Sequence, residues 1–277
     1  MKVKDHFLAQ EYFDIEPTDT PGILKTNPIP ADLEKYYESQ EYISHHQDKG
    51  GIKEFIYKKV QQLNLNFKRN LLAKELFNKA KVLDYGCGAG EFLKFIESDF
   101  TTFGYEPNAD ARNFAAKKFS STTIIDNIAQ LENESLDAVT MWHVLEHIPN
   151  QDEILNLIAQ KLKPNGLLVI AVPNHTSYDA KKYGEYWAAY DVPRHIYHFS
   201  KSGMERLMKN KKWNLKYTRP LLFDAFYISM LSEKYKKNPI FWLSGFIYGA
   251  ISNFKAIKTG EFSSLIYVIR KNEKIDF

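Results

Sequence analysis

The spacing of hydrophobic residues changes near Lys81. This change separates an N-terminal region from a region in which predicted strands and helices alternate. Upstream, apolar residues at helical spacing predict a long amphipathic helix over Lys53–Lys79, whose lysines are expected to form a solvated face. A short helix is predicted over Ala31–Glu38. From Lys81 onward, apolar runs alternate with helical segments, which is typical of a parallel sheet covered by helices. We therefore predict an α/β fold with a doubly wound, mostly parallel, seven-stranded sheet, a Rossmann-like arrangement.

The predicted strands are short apolar runs, in chain order Val82–Tyr85, Thr101–Glu106, Thr122–Ile125, Leu136–Trp142, Leu167–Val172, Trp213–Thr218 and Ser264–Ile269. The predicted helices between them are Glu91–Glu97, Asn108–Phe119, Asn150–Leu162 and Ser200–Lys209. Two segments, 174–199 and 221–260, interrupt the alternation after strand ends, and open α/β sheets bind ligands at that edge. We predict that both form a substrate lid, the second one helical. The chain is thus divided into an N-terminal extension, 1–52, and a main domain, 53–277.

Composition narrows the possible partners and the compartment. The formal net charge of +3 gives no reason to expect a nucleic-acid partner. The single cysteine, Cys87, excludes an internal disulfide framework and a multi-cysteine zinc site, and it favours a reducing, cytoplasmic setting. Met1–Glu16 has no apolar core typical of a signal peptide. The uncharged stretch Asn238–Phe254 is shorter than the roughly 20 residues of a spanning helix, so no stable membrane insertion is expected.

A glycine-rich loop follows the first predicted strand of the alternating region. Gly86, Gly88 and Gly90 permit a tight turn and close backbone approach to a ligand, and the next helix offers unpaired N–H groups at its start. Such a loop can hold the amino-acid end of S-adenosylmethionine (SAM) or the pyrophosphate of a dinucleotide. The dinucleotide pattern G-x-G-x-x-G requires glycine at position 91, which is Glu91. With Asp84 in front of the loop, the pattern favours SAM over a nicotinamide cofactor.

Two further polar positions follow predicted strand ends. Glu106 can accept hydrogen bonds from both hydroxyls of a ribose, although a surface position or a charge at the next helix start would also explain it. Asp126 and Asn127 can bind the amino group of adenine, or they can cap the next short helix. The three elements together fit a nucleoside ligand.

Successive motifs resemble those of class I SAM-dependent methyltransferases, within them the small-molecule group that includes the ubiquinone-biosynthesis O-methyltransferases: Val82–Gly90, Tyr105-Glu106-Pro107, Leu136–Val139 running into Val144–His147, and Leu162–Leu167. The resemblance covers about residues 80–220. It implies that the glycine loop holds the methionine part of SAM, that Glu106 binds ribose and that Asp126 meets adenine. The cofactor-binding residues it implies are Asp84, Tyr85, Gly86, Cys87, Gly88, Gly90, Glu106, Pro107, Asp126, Asn127, Trp142 and His143.

The run from His143 to His147 also matches H-x-x-E-H, a zinc-peptidase pattern. That pattern needs one continuous helix, whereas His143 stands at a predicted strand end and Pro149 opens the next helix. We therefore predict no metal site here and expect Glu146 and His147 to fix the loop through hydrogen bonds.

The segment from Tyr190 to Ser200 is the predicted acceptor region. Methyl transfer to a hydroxyl requires alignment and removal of a proton, for which a histidine is suited. The catalytic candidates are His143, His195 and His198, with Arg194 able to hold an acidic group of the substrate. Alternatively, His198 caps the following helix and Arg194 pairs with Asp191.

These observations predict an enzyme that moves a methyl group from SAM to a small molecule, giving S-adenosylhomocysteine (SAH). Oxygen is favoured as the acceptor atom over carbon or nitrogen. A non-catalytic SAM-binding protein and an RNA methyltransferase remain alternatives, and the latter would need a basic surface beside the pocket.

Overall fold

The computed structural model describes residues 1–37, 52–119 and 121–272. Its strands are β1 (Lys2–Lys4), β2 (Tyr12–Pro17), β3 (Ile23–Asn27), β4 (Lys81–Tyr85), β5 (Thr101–Tyr105), β6 (Thr123–Ile125), β7 (Leu136–Trp142), β8 (Leu162–Pro173), β9 (Tyr197–Phe199), β10 (Asn214–Pro220) and β11 (Ser264–Arg270). Its α-helices are α1 (Ile52–Glu75), α2 (Glu91–Ile96), α3 (Ala109–Ala116), α4 (Gln151–Lys161), α5 (Tyr178–Tyr183), α6 (Lys201–Asn210), α7 (Leu222–Tyr235) and α8 (Phe241–Thr259).

The main sheet has seven strands in the order β10-β11-β8-β7-β4-β5-β6. Strands β6, β5, β4, β7 and β8 are parallel, and β11 runs antiparallel to both of its neighbours, β8 and β10. The predicted doubly wound, mostly parallel sheet is therefore confirmed. From β4 the chain adds β5 and β6 on one side of the sheet and then returns to add β7 on the other side. The segments that follow β4 and β7 therefore meet at the carboxyl edge of the sheet, where such folds bind ligands.

Both faces of this sheet are buried under helices. One apolar core contains Leu155 and Ile158 of α4 together with Met204 of α6. The opposite core contains Leu72 of α1 and Phe92 of α2. Buried apolar side chains on both faces explain why the central strands read as continuous hydrophobic runs rather than as alternating ones.

Side-chain caps set the starts of several helices. The amide oxygen of Asn108 accepts a hydrogen bond from Ala111 N at 2.9 Å, which confirms that Asn108 opens α3. Ser200 Oγ accepts one from Gly203 N at 2.9 Å and caps α6. The alternative prediction that His198 caps this helix was therefore wrong, because the serine hydroxyl already takes that position.

The N-terminal extension differs from the sequence prediction. Strands β1, β2, β3 and β9 form a second, antiparallel sheet, although no strands were predicted before residue 81. Of the helix predicted over Ala31–Glu38, the structure has a single turn of 3-10 helix at Glu34–Tyr36, and Glu38 lies outside the described residues. Because β9 belongs to the predicted insertion 174–199, the extension is hydrogen-bonded to that insertion. The domain boundary at residue 52 stays a prediction.

Helices α7 and α8 pack side by side as a helical hairpin, residues 222–259, within the second predicted insertion. The rings of Phe226 and Phe246 stack across it with centroids 5.1 Å apart. Its outer surface is apolar, and exposed side chains include Trp242 and Phe254. No helix among the described residues has the length and apolar character needed to cross a bilayer.

Candidate active site

The loop after β4 bends sharply over the edge of the sheet. Gly86, Gly88 and Gly90 have φ angles of 76°, 53° and 80°, a region that favours glycine. A Cβ at Gly86 would lie 2.6 Å from a methyl group of Val144, whereas a Cβ at Gly88 would meet no atom of the described residues within 4 Å. Gly88 therefore presents bare backbone to open space, as close approach of a ligand requires.

Glu106 follows β5 and lies against this loop. One carboxylate oxygen accepts a hydrogen bond from Gly88 N at 2.9 Å, and the other accepts one from Asn108 N at 3.0 Å. Each carboxylate oxygen can accept a further hydrogen bond. Glu106 thus holds the loop in place, and its carboxylate oxygens can still accept hydrogen bonds from two neighbouring hydroxyls.

The carboxylate of Asp84 is buried near the carboxyl end of β4. Thr140 Oγ1 donates a hydrogen bond of 2.6 Å to its carboxylate. Burial raises the pKa of Asp84 to about 7, although the Thr140 hydrogen bond and the charge of Lys68 act in the opposite direction. A buried carboxylate that titrates near neutrality is well placed to receive a cationic group.

Lys68 was missed by the sequence analysis, which placed the α1 lysines on a solvated face. Its ammonium group lies 4.5 Å from the ring centroid of Trp142 and 5.9 Å from that of Phe92. Burial lowers the pKa of Lys68, while Asp84 and Asp224 raise it. No local sequence signal distinguishes this lysine, because its position depends on how α1 packs against the sheet.

Trp142 and His143 end β7 at the same edge. Trp142 Nε1 is buried without a hydrogen-bond partner among the described residues. His143 Nε2 lies 3.0 Å from Asp224 Oδ2, and its Nδ1 lies 3.4 Å from Glu146 Oε1. Burial alone would lower the pKa of His143, but the two carboxylates outweigh it and raise the pKa to about 10. The imidazolium form of His143 is thus favoured at neutral pH, and its catalytic role stays a prediction.

The predicted adenine residues follow β6. Asn127 Oδ1 accepts a hydrogen bond from Ala129 N at 2.9 Å and caps the 3-10 helix Ile128–Gln130, which is the alternative that the sequence left open. Asp126 is exposed and accepts a hydrogen bond of 2.6 Å from Gln130. The adenine role of both residues stays a prediction.

Three other predicted cofactor residues, Tyr85, Cys87 and Pro107, have contacts within the protein, and their role toward the cofactor stays a prediction. The ring of Tyr85 turns into the core, 4.7 Å from that of Tyr105. Cys87 is buried, which raises the pKa of its thiol to about 12. The carbonyl of Pro107 accepts a hydrogen bond from Arg112 at 3.0 Å.

Arg194 belongs to the insertion 174–199, and its guanidinium is buried. It donates hydrogen bonds to Asp191, to Asp5 at 2.9 Å and to the carbonyl of Tyr36 at 3.0 Å. The pairing with Asp191 is the structural alternative considered in the sequence analysis. The predicted contact with an acidic substrate stays a prediction, but the protein's own oxygens already occupy these donors.

His198 lies within β9 and His195 just before it, and the two have different surroundings. His198 Nε2 lies 2.9 Å from Thr26 Oγ1, inside the contact between β9 and the N-terminal extension. Its pKa is lowered, first by burial and then by the charges of His195 and His175. His195 Nδ1 lies 2.8 Å from the carbonyl oxygen of Ala189. The structure thus ties His198 to the second sheet.

His195 also meets the short 3-10 helix that follows β7, Leu145–His147. Its ring lies 4.6 Å from that of His147, edge to face. His147 Nδ1 lies 2.9 Å from the carbonyl oxygen of Arg194, so the predicted loop-fixing hydrogen bond of His147 is present. Burial and then the charge of His195 lower the pKa of His147 to about 4. The carboxylate of Glu146, in contrast, makes no hydrogen bond with the described residues.

Comparison with known proteins agrees with this geometry. The model of a methyltransferase domain family matches residues 57–217, more than half of the chain, and the chain belongs to that family. The predicted methyltransferase family is thus confirmed. The fold agrees as well. A putative sarcosine dimethylglycine methyltransferase from Galdieria sulphuraria aligns with a TM-score of 0.52 at 16% identity, covering 81% of this chain and 89% of that one.

More specific relatives match over part of their length. The ubiquinone biosynthesis O-methyltransferase of Photobacterium profundum is 32% identical over 133 residues, 45% of this chain and 54% of the relative. An uncharacterized protein of Methanocaldococcus jannaschii is 29% identical over 151 residues, 50% of this chain and 58% of the relative. The chain therefore spans somewhat more than half the length of these curated relatives. A phosphoethanolamine N-methyltransferase of Haemonchus contortus, solved with SAM, shares the fold with a TM-score of 0.54 at 16% identity, covering 90% of this chain and 63% of that one.

Proposed function

We propose that this protein transfers the methyl group of SAM to a hydroxyl oxygen of a small molecule, releasing SAH. The observation that carries the proposal is the open backbone at Gly88, enclosed by Asp84 and Glu106 at the edge where the sheet order reverses. Several relatives are ubiquinone biosynthesis O-methyltransferases, which supports oxygen as the acceptor atom. Carbon and nitrogen acceptors are outcomes that the experiment distinguishes.

The chain's own residues account for the binding of such a cofactor. Asp84 would receive the ammonium group of the amino-acid end, because its buried carboxylate gains a cationic partner there. The remaining lone pairs of Glu106 would accept the ribose hydroxyls. Trp142 Nε1, which has no partner among the described residues, is available to donate a hydrogen bond to the ligand. When bound, SAM supplies an activated methyl group on its sulfonium sulfur.

The acceptor hydroxyl must lose a proton when its oxygen gains the methyl group. We do not assign this proton to His143, because two carboxylates favour its charged form. We assign it to Glu146, His147 or His195, because these three side chains cluster together and Glu146 contacts His143. We therefore propose that acceptor activation takes place at this cluster, where the insertion 174–199 meets the 3-10 helix Leu145–His147.

The proposal is tested by incubating the protein with methyl-labelled SAM and a panel of phenols, catechols and aliphatic alcohols. The matched panel contains the same compounds with the hydroxyl blocked or replaced by an amine. We expect SAH release to depend on a free hydroxyl and the label to appear in an ether. Transfer only to amines or to carbon would contradict oxygen as the acceptor atom. Tight SAH binding with no transfer to any acceptor would instead support a non-catalytic SAM-binding protein.

A further inference from the structure

The N-terminal extension reaches the candidate acceptor site through the side chain of Tyr37. Its hydroxyl oxygen lies 3.1 Å from Nδ1 of His147, and the centroids of the two rings are 6.2 Å apart. His147 belongs to the 3-10 helix after β7, and its ring also meets that of His195. Tyr37 lies outside residues 57–217, the part of the chain that the methyltransferase family model matches. Membership of that family therefore does not account for this contact.

Arg194 contacts both sides of this pair. Its backbone carbonyl lies 2.9 Å from His147 Nδ1, and its guanidinium donates a hydrogen bond of 3.0 Å to the carbonyl of Tyr36. The buried guanidinium also donates to Asp5 at 2.9 Å and lies 4.9 Å from the ring centroid of Phe7. Because a planar guanidinium holds its acceptors in a fixed geometry, the backbone just before the tyrosine has a defined position relative to the histidine ring.

Tyr36 is in turn anchored in the apolar core of the second sheet. Its side chain is 2% exposed, and its ring lies edge to face with that of Phe13 on β2, with centroids 5.9 Å apart. Its hydroxyl donates a hydrogen bond of 2.6 Å to the carboxylate of Glu11. Tyr37 therefore follows a residue that is fixed at its backbone, its ring and its hydroxyl.

The surroundings of His147 Nδ1 determine where the ring proton lies. The carbonyl of Arg194 only accepts hydrogen bonds, so in the neutral ring the proton is on Nδ1. The hydroxyl oxygen of Tyr37 can accept from the same N–H, since a phenol is both donor and acceptor. Partners of this kind select the tautomer of a histidine and orient its ring. Both oxygens favour the Nδ1–H tautomer, which leaves the lone pair on Nε2.

We propose that Tyr37 is a positioning residue for acceptor activation, and that its hydroxyl holds His147 in the Nδ1–H tautomer so that Nε2 accepts the proton of the acceptor hydroxyl. The last step rests on the proposed function. In it, the O–H bond of the acceptor breaks and the proton passes to Nε2, while the oxygen takes the methyl group. The electron pair of the broken bond between carbon and sulfur stays on the sulfur of SAH.

The charges around His147 are compatible with this step. Burial keeps the ring neutral at neutral pH, so that Nε2 has a lone pair for the incoming proton. Once the proton has arrived, the carboxylates of Glu146 and Asp191 favour the charged ring. The N-terminal extension thereby belongs to the catalytic unit, although it lies outside the region that the family model matches.

The position of the ring proton can be measured by NMR without any acceptor. The histidines of the full-length protein are isotope-labelled in their ring nitrogens, and His147→Gln identifies the resonances of His147. We expect the Nδ1–H tautomer in the wild type. In Tyr37→Phe, which keeps the ring and loses the hydroxyl, we expect a shifted Nδ1 resonance and a larger share of the Nε2–H tautomer. Unchanged His147 resonances in Tyr37→Phe, or the Nε2–H tautomer in the wild type, would overturn the proposal.

Methyl transfer measures the consequence for the reaction, with the hydroxyl compound of the panel that reacts fastest as the acceptor. We expect Tyr37→Phe to lower kcat about threefold to tenfold, the factor that corresponds to one lost hydrogen bond, and to leave the KM for SAM and the affinity for SAH unchanged. A general structural defect would lower SAH affinity and the melting temperature as well. An unchanged kcat, or a parallel loss of SAH affinity and thermal stability, would contradict the positioning role.

The matched control is Tyr12→Phe, which removes the hydroxyl of a tyrosine on β2 whose side chain is 59% exposed. This variant should match the wild type in kcat and in the resonances of His147. If the wild type methylates no hydroxyl compound, the proposed function fails, whereas the His147 resonances still decide whether Tyr37 holds the ring.

Discussion

The pKa of Asp84 makes cofactor affinity depend on pH in a defined direction. In the free protein, burial raises this pKa to about 7, whereas a bound ammonium group would keep the carboxylate ionised. The ionised fraction is then roughly one in eleven at pH 6 and ten in eleven at pH 8. We therefore expect SAH to bind about tenfold, or about 1.4 kcal/mol, more tightly at pH 8 than at pH 6.

Isothermal titration calorimetry at the two pH values measures this difference, and buffers of different ionisation enthalpy count the released protons. Asp84→Asn should bind SAH weakly and without this pH dependence. Thr140→Val removes a hydrogen bond donated to the ionised carboxylate, so the pKa rises and the midpoint should move to higher pH. Equal affinity at both pH values without proton release would refute the role of Asp84. His143 does not interfere, since its pKa is about 10.

Ionisation of Asp84 favours SAH binding but destabilises the folded protein without ligand. Because the folded-state pKa of Asp84 lies above its unfolded value, the folded state binds more protons between about pH 4 and pH 7. Its contribution to stability is therefore fully present below the unfolded pKa and is lost as the pH rises through 7. Bound SAH should reverse this trend, so ligand-induced stabilisation in thermal melts should grow with pH.

Other positions give independent predictions. Glu106→Ala should weaken SAH binding more than about tenfold in calorimetry, since hydrogen bonds to a charged group are lost; unchanged affinity would remove Glu106 from the site. Arg194→Met should lower the free energy of unfolding in urea by about 3–5 kcal/mol, because two carboxylates lose their cation, and a loss below about 1 kcal/mol would contradict that. Gly86→Ala should destabilise the protein more than Gly88→Ala, whose main effect should be on SAH affinity, since its Cβ fills open space. The reverse order in urea unfolding and calorimetry would contradict the loop geometry.

The main sheet was predictable because its signals are local. From β4 onward, each apolar run is followed by a turn or a helix start within a few residues, and the glycine loop stands between a strand and a helix. Asn108 could likewise be read as a cap from sequence alone. The second sheet could not be predicted in this way. Its strands are three to six residues long, and β3 finds its partner β9 only in the folded chain.

The residues of the candidate site also divide into those with a local sequence signal and those placed by tertiary packing. Asp84, the glycines and Glu106 follow strands at recognisable spacings, so the sequence located them. Lys68 and Asp224 lie on helices whose local pattern gives no hint of the active-site edge, and tertiary packing brings them there. The cluster of Glu146, His147 and His195 likewise depends on the path of the insertion, which the pattern of the 143–147 segment does not indicate.

The pairing of β3 with β9 also has a consequence for synthesis of the chain. Thr26 donates a hydrogen bond to the carbonyl of His195, across 169 residues of sequence. During translation the first three strands therefore emerge long before their partner exists, and their apolar positions, such as Phe13 and Ile15, are uncovered meanwhile. Closure of the second sheet is then a late folding event, and it also fixes the position of His195. A nascent chain truncated before β9 should thus have no ordered acceptor region, even when its glycine loop is already folded.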